Sequence, residues 1–212
     1  MGRRCTRTQE GLGLRMTGLA TRWASQFYAT LGDDRAAAEE LRDASLRSEL
    51  ARWTTALTGI VVRSLQGLGL APAAKQFLCA VLPIKRNEYL GQDVMAFENG
   101  GRGWTFPVAV CELENAADDD RVAYSLWKVL CVRCALRVVF CYRPEADAGS
   151  PLVAILASTV VGAMPIAERA NLSGETLVVM GSRNEAATFP YGFFQTWKLN
   201  TNTGRFERFT RQ

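Results

Sequence analysis

The apolar residues in the first third of the chain recur every three or four positions, which is the spacing of one face of an α-helix. A first helix is predicted to begin near Thr17 and to stop at Gly32. Residues 34–69 continue the pattern, which predicts one long amphipathic helix or two in line. Pro72 favours the start of a further short helix over residues 73–81. We expect the apolar stripe of the long helix to pack into the core.

After residue 85 the pattern changes to that of strands. Apolar runs bounded by turn signals predict strands at residues 86–97, 105–115, 136–143, 177–180, 193–199 and 205–209. The last two flank the sequence NTNTG, which predicts a hairpin. Helices are predicted over residues 119–133 and 151–163.

The order of these elements predicts an α/β core between flanking helices, with a helical region before it and a β-hairpin at its C-terminal end. A length of 212 residues suits one domain. The predicted parts are a flexible tail (1–16), a helical region packed on the core (17–82), the αβ core (83–145) and a segment that completes the same domain (146–212).

The composition excludes several kinds of catalytic site, because the chain contains no histidine. Ser-His-Asp and Cys-His catalysis, an imidazole general base and a His-bound zinc ion are all ruled out. A hard metal ion held by carboxylates remains compatible with the sequence. The net charge of +4 permits nucleic-acid binding, and only four of the 25 basic residues are lysines. Arginine suits phosphate contacts, although codon bias explains the excess equally well.

Cysteine usage and the absence of long apolar runs indicate a cytoplasmic protein without a membrane span. Most of the six cysteines lie inside apolar runs, as buried residues of a reducing compartment do. Cys131 and Cys134 form one C-x-x-C, which lacks the further ligands of a zinc site, so core packing is favoured. The Arg-rich residues 1–16 lack the apolar region of a secretory signal, and an organelle transit peptide is the alternative to a flexible tail.

Two carboxylates on one predicted strand are the first candidates for chemistry. Residues two apart on a strand share a face, so Glu112 and Glu114 would project together from an otherwise apolar segment. Their repulsion would be relieved by a divalent cation. Asp93 lies on the preceding extended segment and could reach the same ion if the two segments pair. Glu88 is five residues from Asp93, so a bulge or turn at Gly91 would be needed to bring both together.

A lysine on the following helix is the candidate cation. Arg121, Ser125 and Lys128 fall on one helical stripe. The Lys128 ammonium could reach over the strand end to the carboxylates. There it would offset charge on a phosphate or position an attacking water.

Residues 85–143, with E-Y-L-x-x-D, E-L-E-N and Y-S-L-W-K, resemble the PD-(D/E)XK nuclease superfamily. The resemblance implies a restriction-endonuclease-like core, which is a mixed central sheet flanked by helices. It implies that Asp93 and Glu112 are the metal-binding acids, that Glu114 stands where the family has lysine, and that Lys128 is that lysine moved onto the helix. An acid from a preceding helix often completes such sites, which makes Glu49 a weaker candidate.

The expected function is hydrolysis of nucleic-acid phosphodiester bonds, DNA rather than RNA, with Mg²⁺ or Mn²⁺ as cofactor. One alternative is an inactive protein of the same fold that binds nucleic acid or protein. Another is a structural protein that forms a homodimer through its long N-terminal helix. Each site residue also has a plainer interpretation: an exposed edge-strand end for Glu112 and Glu114, a turn residue for Asp93, and a solvated helix charge for Lys128 and Glu49.

Overall fold

A computed structural model of the protein describes residues 18–101 and 103–210. The predicted tail (1–16) and the predicted cap at Thr17 lie outside these residues. The helices are α1 (Leu19–Asp33), α2 (Arg35–Leu46), α3 (Leu50–Gly67), α4 (Asp119–Leu130), α5 (Gly149–Leu156) and α6 (Ile166–Ala170). The strands are β1 (Leu70–Ala74), β2 (Val94–Glu98), β3 (Ala109–Leu113), β4 (Leu136–Arg143), β5 (Glu175–Ser182), β6 (Phe194–Asn200) and β7 (Arg205–Arg208).

The seven strands form one mixed sheet in chain order. The pairs β1–β2 and β2–β3 are antiparallel, β3–β4 and β4–β5 are parallel, and β5–β6 and β6–β7 are again antiparallel. Helix α4 forms the crossover between the parallel strands β3 and β4. The predicted α/β class, with N-terminal helices and a C-terminal hairpin, is confirmed.

The N-terminal helices are divided differently from the prediction. Gly32 does not end the first helix, because α1 runs to Asp33 and Asp34 caps α2 by accepting a hydrogen bond from the Ala37 amide at 3.1 Å. The stretch that follows is neither one helix nor two in line. Ser48 has a φ of 57°, which interrupts the helix and separates α2 from α3. The two helices pack against each other.

The prediction of a short helix over residues 73–81 is wrong. Leu70–Ala74 is β1, which pairs with β2 and places Pro72 opposite Ala96. Proline has no N–H to donate. Because β1 is an edge strand, its open side has no neighbouring strand, so the lack of this donor there costs no hydrogen bond. The chain then turns between Ala74 and Phe77, whose amides and carbonyls bond reciprocally at 3.0 and 2.8 Å.

Two apolar layers cover the two faces of the sheet. Helices α1, α2 and α3 bury Trp23, Phe27 and Trp53 on one face, whereas α4 and α5 cover the other. Along β3, Cys111 and Leu113 face the first layer and Val110 faces the second. Residue 112 therefore points toward α4, because side chains alternate along a strand.

The cysteines and the C-terminal aromatic residues serve mainly as core. Cys111, Cys134 and Cys141 are buried and free, and Cys131 is exposed. Phe193, Phe194 and Trp197 are buried. Within the described ranges, no helix combines the length and apolar content needed to cross a membrane.

Candidate functional site

Asp93 and Glu112 are brought together by the pairing of β2 with β3. The antiparallel register sets Val94 opposite Cys111, so the next step places Asp93 beside Glu112. The Asp93 amide donates to Glu112 Oε1 at 3.3 Å, and Asp93 Oδ2 accepts a hydrogen bond from the Leu113 amide at 2.7 Å. These backbone contacts fix both carboxylates at the end of the sheet.

Lys128 reaches the same point from helix α4. Its Nζ lies 2.9 Å from Glu112 Oε2 and donates to the Gly91 carbonyl at 2.6 Å. The carbonyl is presented by a tight turn in which Leu90 and Gly91 both have positive φ, 55° and 64°. A turn is therefore present at Gly91, but it does not bring Glu88 to Asp93, and its carbonyl instead helps to anchor the lysine.

Burial makes the two carboxylates costly to ionise. It raises the pKa of Glu112 to about 7, an effect that the hydrogen bond from Lys128 opposes and the charge of Asp93 reinforces. Burial also raises the pKa of Asp93, against the stabilising amide of Leu113. Lys128 is the one cation in direct contact with Glu112 among the described residues. The pair of acids is therefore short of positive charge.

Glu114 lies in the same cavity but is held in a different way. Its Oε1 accepts a hydrogen bond from the Ala116 amide at 2.8 Å, and its Oε2 lies 3.6 Å from Arg121 Nε. Both oxygens of Glu114 are thus engaged in contacts that hold the turn between β3 and α4. The structure places Glu114 near the acid pair as a further negative charge.

The two weaker candidates lie apart from the acid pair. Glu88 is exposed and lines a different cavity with Lys75 and Lys85. Its charge still contributes to the raised pKa of Asp93. Glu49 precedes α3 and pairs with Arg52 at 2.7 Å on the surface. Neither side chain lines the cavity that holds Asp93 and Glu112.

An open cavity of about 640 Å³ gives access to the acid pair. Helix α4 contributes Asp120, Arg121, Tyr124 and Ser125 to its wall, besides Lys128. Sequence reasoning missed Thr54, a residue of α3 that also lines this cavity. Its Oγ1 accepts a hydrogen bond from the Asn115 side chain at 2.8 Å. No sequence signal marks this contact, since the two residues are 61 positions apart.

Asn115 does not cap the next helix. The cap is Asp118, whose side chain accepts from the Asp120 amide at 2.9 Å. Asp119 and Asp120 follow in the first helical turn, where acids suit the helix dipole. The acidic run thus orients α4 and the lysine that it carries.

The carboxylates of Asp93 and Glu112 suit Mg²⁺ better than they suit a metal ion whose ligands all come from the protein. Across residues 18–101 and 103–210, no group of three or more His, Cys, Asp or Glu side chains is arranged to hold a metal ion. Mg²⁺, however, commonly takes one or two carboxylates and completes its shell with water and substrate phosphate. Asp93 and Glu112 supply two such carboxylates on an open cavity.

Comparison of the chain with family models, with curated proteins and with solved structures finds no match. The resemblance to the PD-(D/E)XK superfamily therefore has no support from these comparisons, and it rests on the residues alone.

Proposed function

We propose that the protein is a Mg²⁺-dependent hydrolase of nucleic-acid phosphodiester bonds, with DNA as substrate and Mn²⁺ as a substitute cofactor. The observation that supports this proposal most is the placement of Lys128 Nζ 2.9 Å from Glu112 Oε2, beside Asp93, on an open cavity. Two carboxylates can hold the metal ion, and an ammonium beside them can meet the charge of a phosphate.

The residues divide the work by their chemistry. Asp93 and Glu112 would hold the cation, which supplies activation of water and polarisation of the phosphate when bound. Lys128 would donate to a phosphoryl oxygen, because the Gly91 carbonyl fixes its ammonium at the cavity wall. In the reaction, an oxygen of water bonds to phosphorus, the bond to the leaving oxygen breaks, and that oxygen takes a proton.

Cleavage of a labelled DNA oligonucleotide in Mg²⁺, offered both as a single strand and as a duplex, tests the proposal. We expect the wild-type protein to cleave it, EDTA to stop cleavage, and Glu112→Gln and Asp93→Asn to slow it by about 100-fold or more. Glu98→Gln, which removes an exposed acid at the far end of β2, is the matched control and should retain wild-type activity. Equal cleavage by the wild type and Glu112→Gln, or no cleavage by the wild type, would contradict the proposal.

A second candidate function is an inactive protein that binds nucleic acid. It is favoured by the ion pair with Lys128, which already occupies one oxygen of Glu112, and by the lack of a three-acid metal group in the described part of the chain. Oligonucleotide binding that is unchanged by EDTA and by Glu112→Gln, in a protein that cleaves nothing, would identify this function. The predicted homodimer through the N-terminal helices stays a prediction.

A further inference from the structure

Three cavities adjoin one another through shared wall residues, and together they are called the groove here. The acidic cavity, described above, shares Thr54 and Asn115 with a smaller one of about 270 Å³, here called the threonine cavity. The threonine cavity shares Lys75 with a third, of about 610 Å³, here called the basic cavity. Cavities that share a wall residue lie side by side, so a chain molecule long enough to cover all three would contact each of them.

The walls of this groove are held by hydrogen bonds. Asn115 ties the β3–α4 turn to α3 through Thr54 Oγ1 at 2.8 Å and the Leu50 carbonyl at 3.3 Å. The reciprocal bonds between Ala74 and Phe77 place Lys75 at the tip of a tight turn.

The basic cavity is fixed in a similar way. Arg86 forms a bridge with Cys79, and its amide donates to the Tyr89 hydroxyl at 3.1 Å. That hydroxyl donates to the Ile84 carbonyl at 2.7 Å. The loop that presents Lys85 and Arg86 is thus anchored at both ends.

The middle of the groove offers acceptors and an aromatic ring. The hydroxyls of Thr54, Thr55 and Thr58 donate to carbonyls one helical turn earlier, at 2.8 to 3.0 Å. The oxygens of Thr55 and Thr58 remain as acceptors, which suit the amino groups of bases, whereas Thr54 Oγ1 already accepts from Asn115. Phe77 is half-buried and also lines this cavity, and its ring can stack on a base.

The outer end of the groove carries the positive charge. Lys75, Lys85 and Arg86 are exposed, and they line the basic cavity together with one acid, Glu88. None of the three cations has an ion pair among the described residues. Unpaired cations on a polar groove suit the phosphates of a nucleic-acid backbone.

We propose that this groove binds one unpaired strand of the nucleic-acid substrate, with its bases in the threonine cavity and its phosphates at Lys75, Lys85 and Arg86. The inference rests on the proposed function and names the form of its substrate. A single strand is favoured over a duplex because the threonine cavity is small and its acceptors and ring match base edges and faces, which pairing and stacking hide in a duplex.

Fluorescence anisotropy of a labelled single-stranded 12-mer, measured in EDTA, tests the groove without any cleavage. The variant Lys75→Ala/Lys85→Ala/Arg86→Ala should bind about tenfold more weakly or worse, and its salt slope should fall by about two. The control Arg22→Ala/Arg133→Ala/Arg205→Ala removes the same charge from exposed positions outside the groove and should bind within about twofold of the wild type. Thr55→Trp, which fills the threonine cavity without changing charge, should also weaken binding.

Cleavage assays separate failure of the groove from failure of the proposed hydrolysis. The groove variant should raise the KM for the oligonucleotide while hydrolysis of bis(p-nitrophenyl) phosphate, too small to reach the basic cavity, keeps its wild-type rate. Equal loss of binding in the groove and control variants, tighter binding of duplex than of single strand, or an unchanged KM in a cleaving protein would overturn the groove. Groove-dependent binding in a protein that cleaves neither substrate would support the groove and refute the hydrolysis.

Discussion

Lys128 on α4 and Glu112 on β3 form an ion pair in which Nζ lies 2.9 Å from Oε2. The Glu112 side chain is 5% exposed and that of Lys128 is 19% exposed, so the contact is largely removed from water. Such a pair is costly to leave half-made, because a buried charge without its partner keeps its full desolvation penalty. The pair therefore controls both the ionisation of the acid pair and the local stability of this end of β3.

Stability should depend on pH through Glu112. Its pKa is about 7 in the folded protein and near 4.5 when unfolded, so in this range the unfolded state binds fewer protons. The contribution of Glu112 to the free energy of unfolding should therefore fall by about 3 kcal/mol as the pH rises from about 4.5 to about 7, and stay level above. The free energy of unfolding in urea, measured in EDTA for the wild type and for Glu112→Gln, gives a difference that isolates the contribution of Glu112. A difference that is constant or rises over the range would contradict it.

Loss of Lys128 should lower the free energy of unfolding most when Glu112 is ionised. Lys128→Met removes the hydrogen bond that holds down the pKa of Glu112, so that pKa should rise further. We expect a loss of about 2 kcal/mol at pH 8 and a much smaller loss at pH 5, where Glu112 is protonated in both proteins. Urea unfolding at the two pH values measures this. An equal loss at both would show that the lysine acts by packing alone.

Metal binding should distinguish the two glutamates of the E-L-E sequence. Mg²⁺ should raise the melting temperature of the wild type at pH 8, since it binds only the folded protein. Asp93→Asn and Glu112→Gln should abolish this rise. Glu114→Gln should retain most of it, because the Ala116 amide and Arg121 already engage that side chain. Isothermal titration with Mg²⁺ gives the same order of affinities, and an equal effect of all three variants would contradict the assignment.

Buried Arg137 should stabilise the end of the helix that carries Lys128. It is 1% exposed, and its guanidinium donates to the carbonyls of Val129, Val132 and Ser173. Arg137→Met should cost about 3 kcal/mol, because these carbonyls lose their donors in a buried place. Arg133→Ala, at a nearby exposed position, should cost less than about 0.5 kcal/mol. Chemical unfolding compares the two variants directly.

The parts of the fold that local pattern determines could be predicted from the sequence. Strand β4 has the predicted bounds, since an apolar run buried on both faces leaves few alternatives. Strand β1 was missed because its Ala- and Pro-rich sequence has weak local preference and gains its conformation from pairing with β2.

The candidate site shows the same division. Pairing of two segments through the Gly-rich turn at residues 98–103 was enough to predict that Asp93 meets Glu112, and helical spacing was enough to direct Lys128 toward them. The engagement of Glu114 by Arg121 depends on how the turn after β3 folds back on α4, and the entry of Thr54 from α3 depends on a contact between elements far apart in the chain. No local pattern encodes such contacts.

Binding of the metal ion by Asp93 and Glu112 is best checked by a crystal structure of the protein with Mn²⁺, using the anomalous signal of the metal. We expect an anomalous peak about 2.1 Å from carboxylate oxygens of both Asp93 and Glu112, with Lys128 Nζ outside the coordination shell. A peak elsewhere, or none at saturating Mn²⁺ in crystals that leave the acidic cavity open, would contradict it.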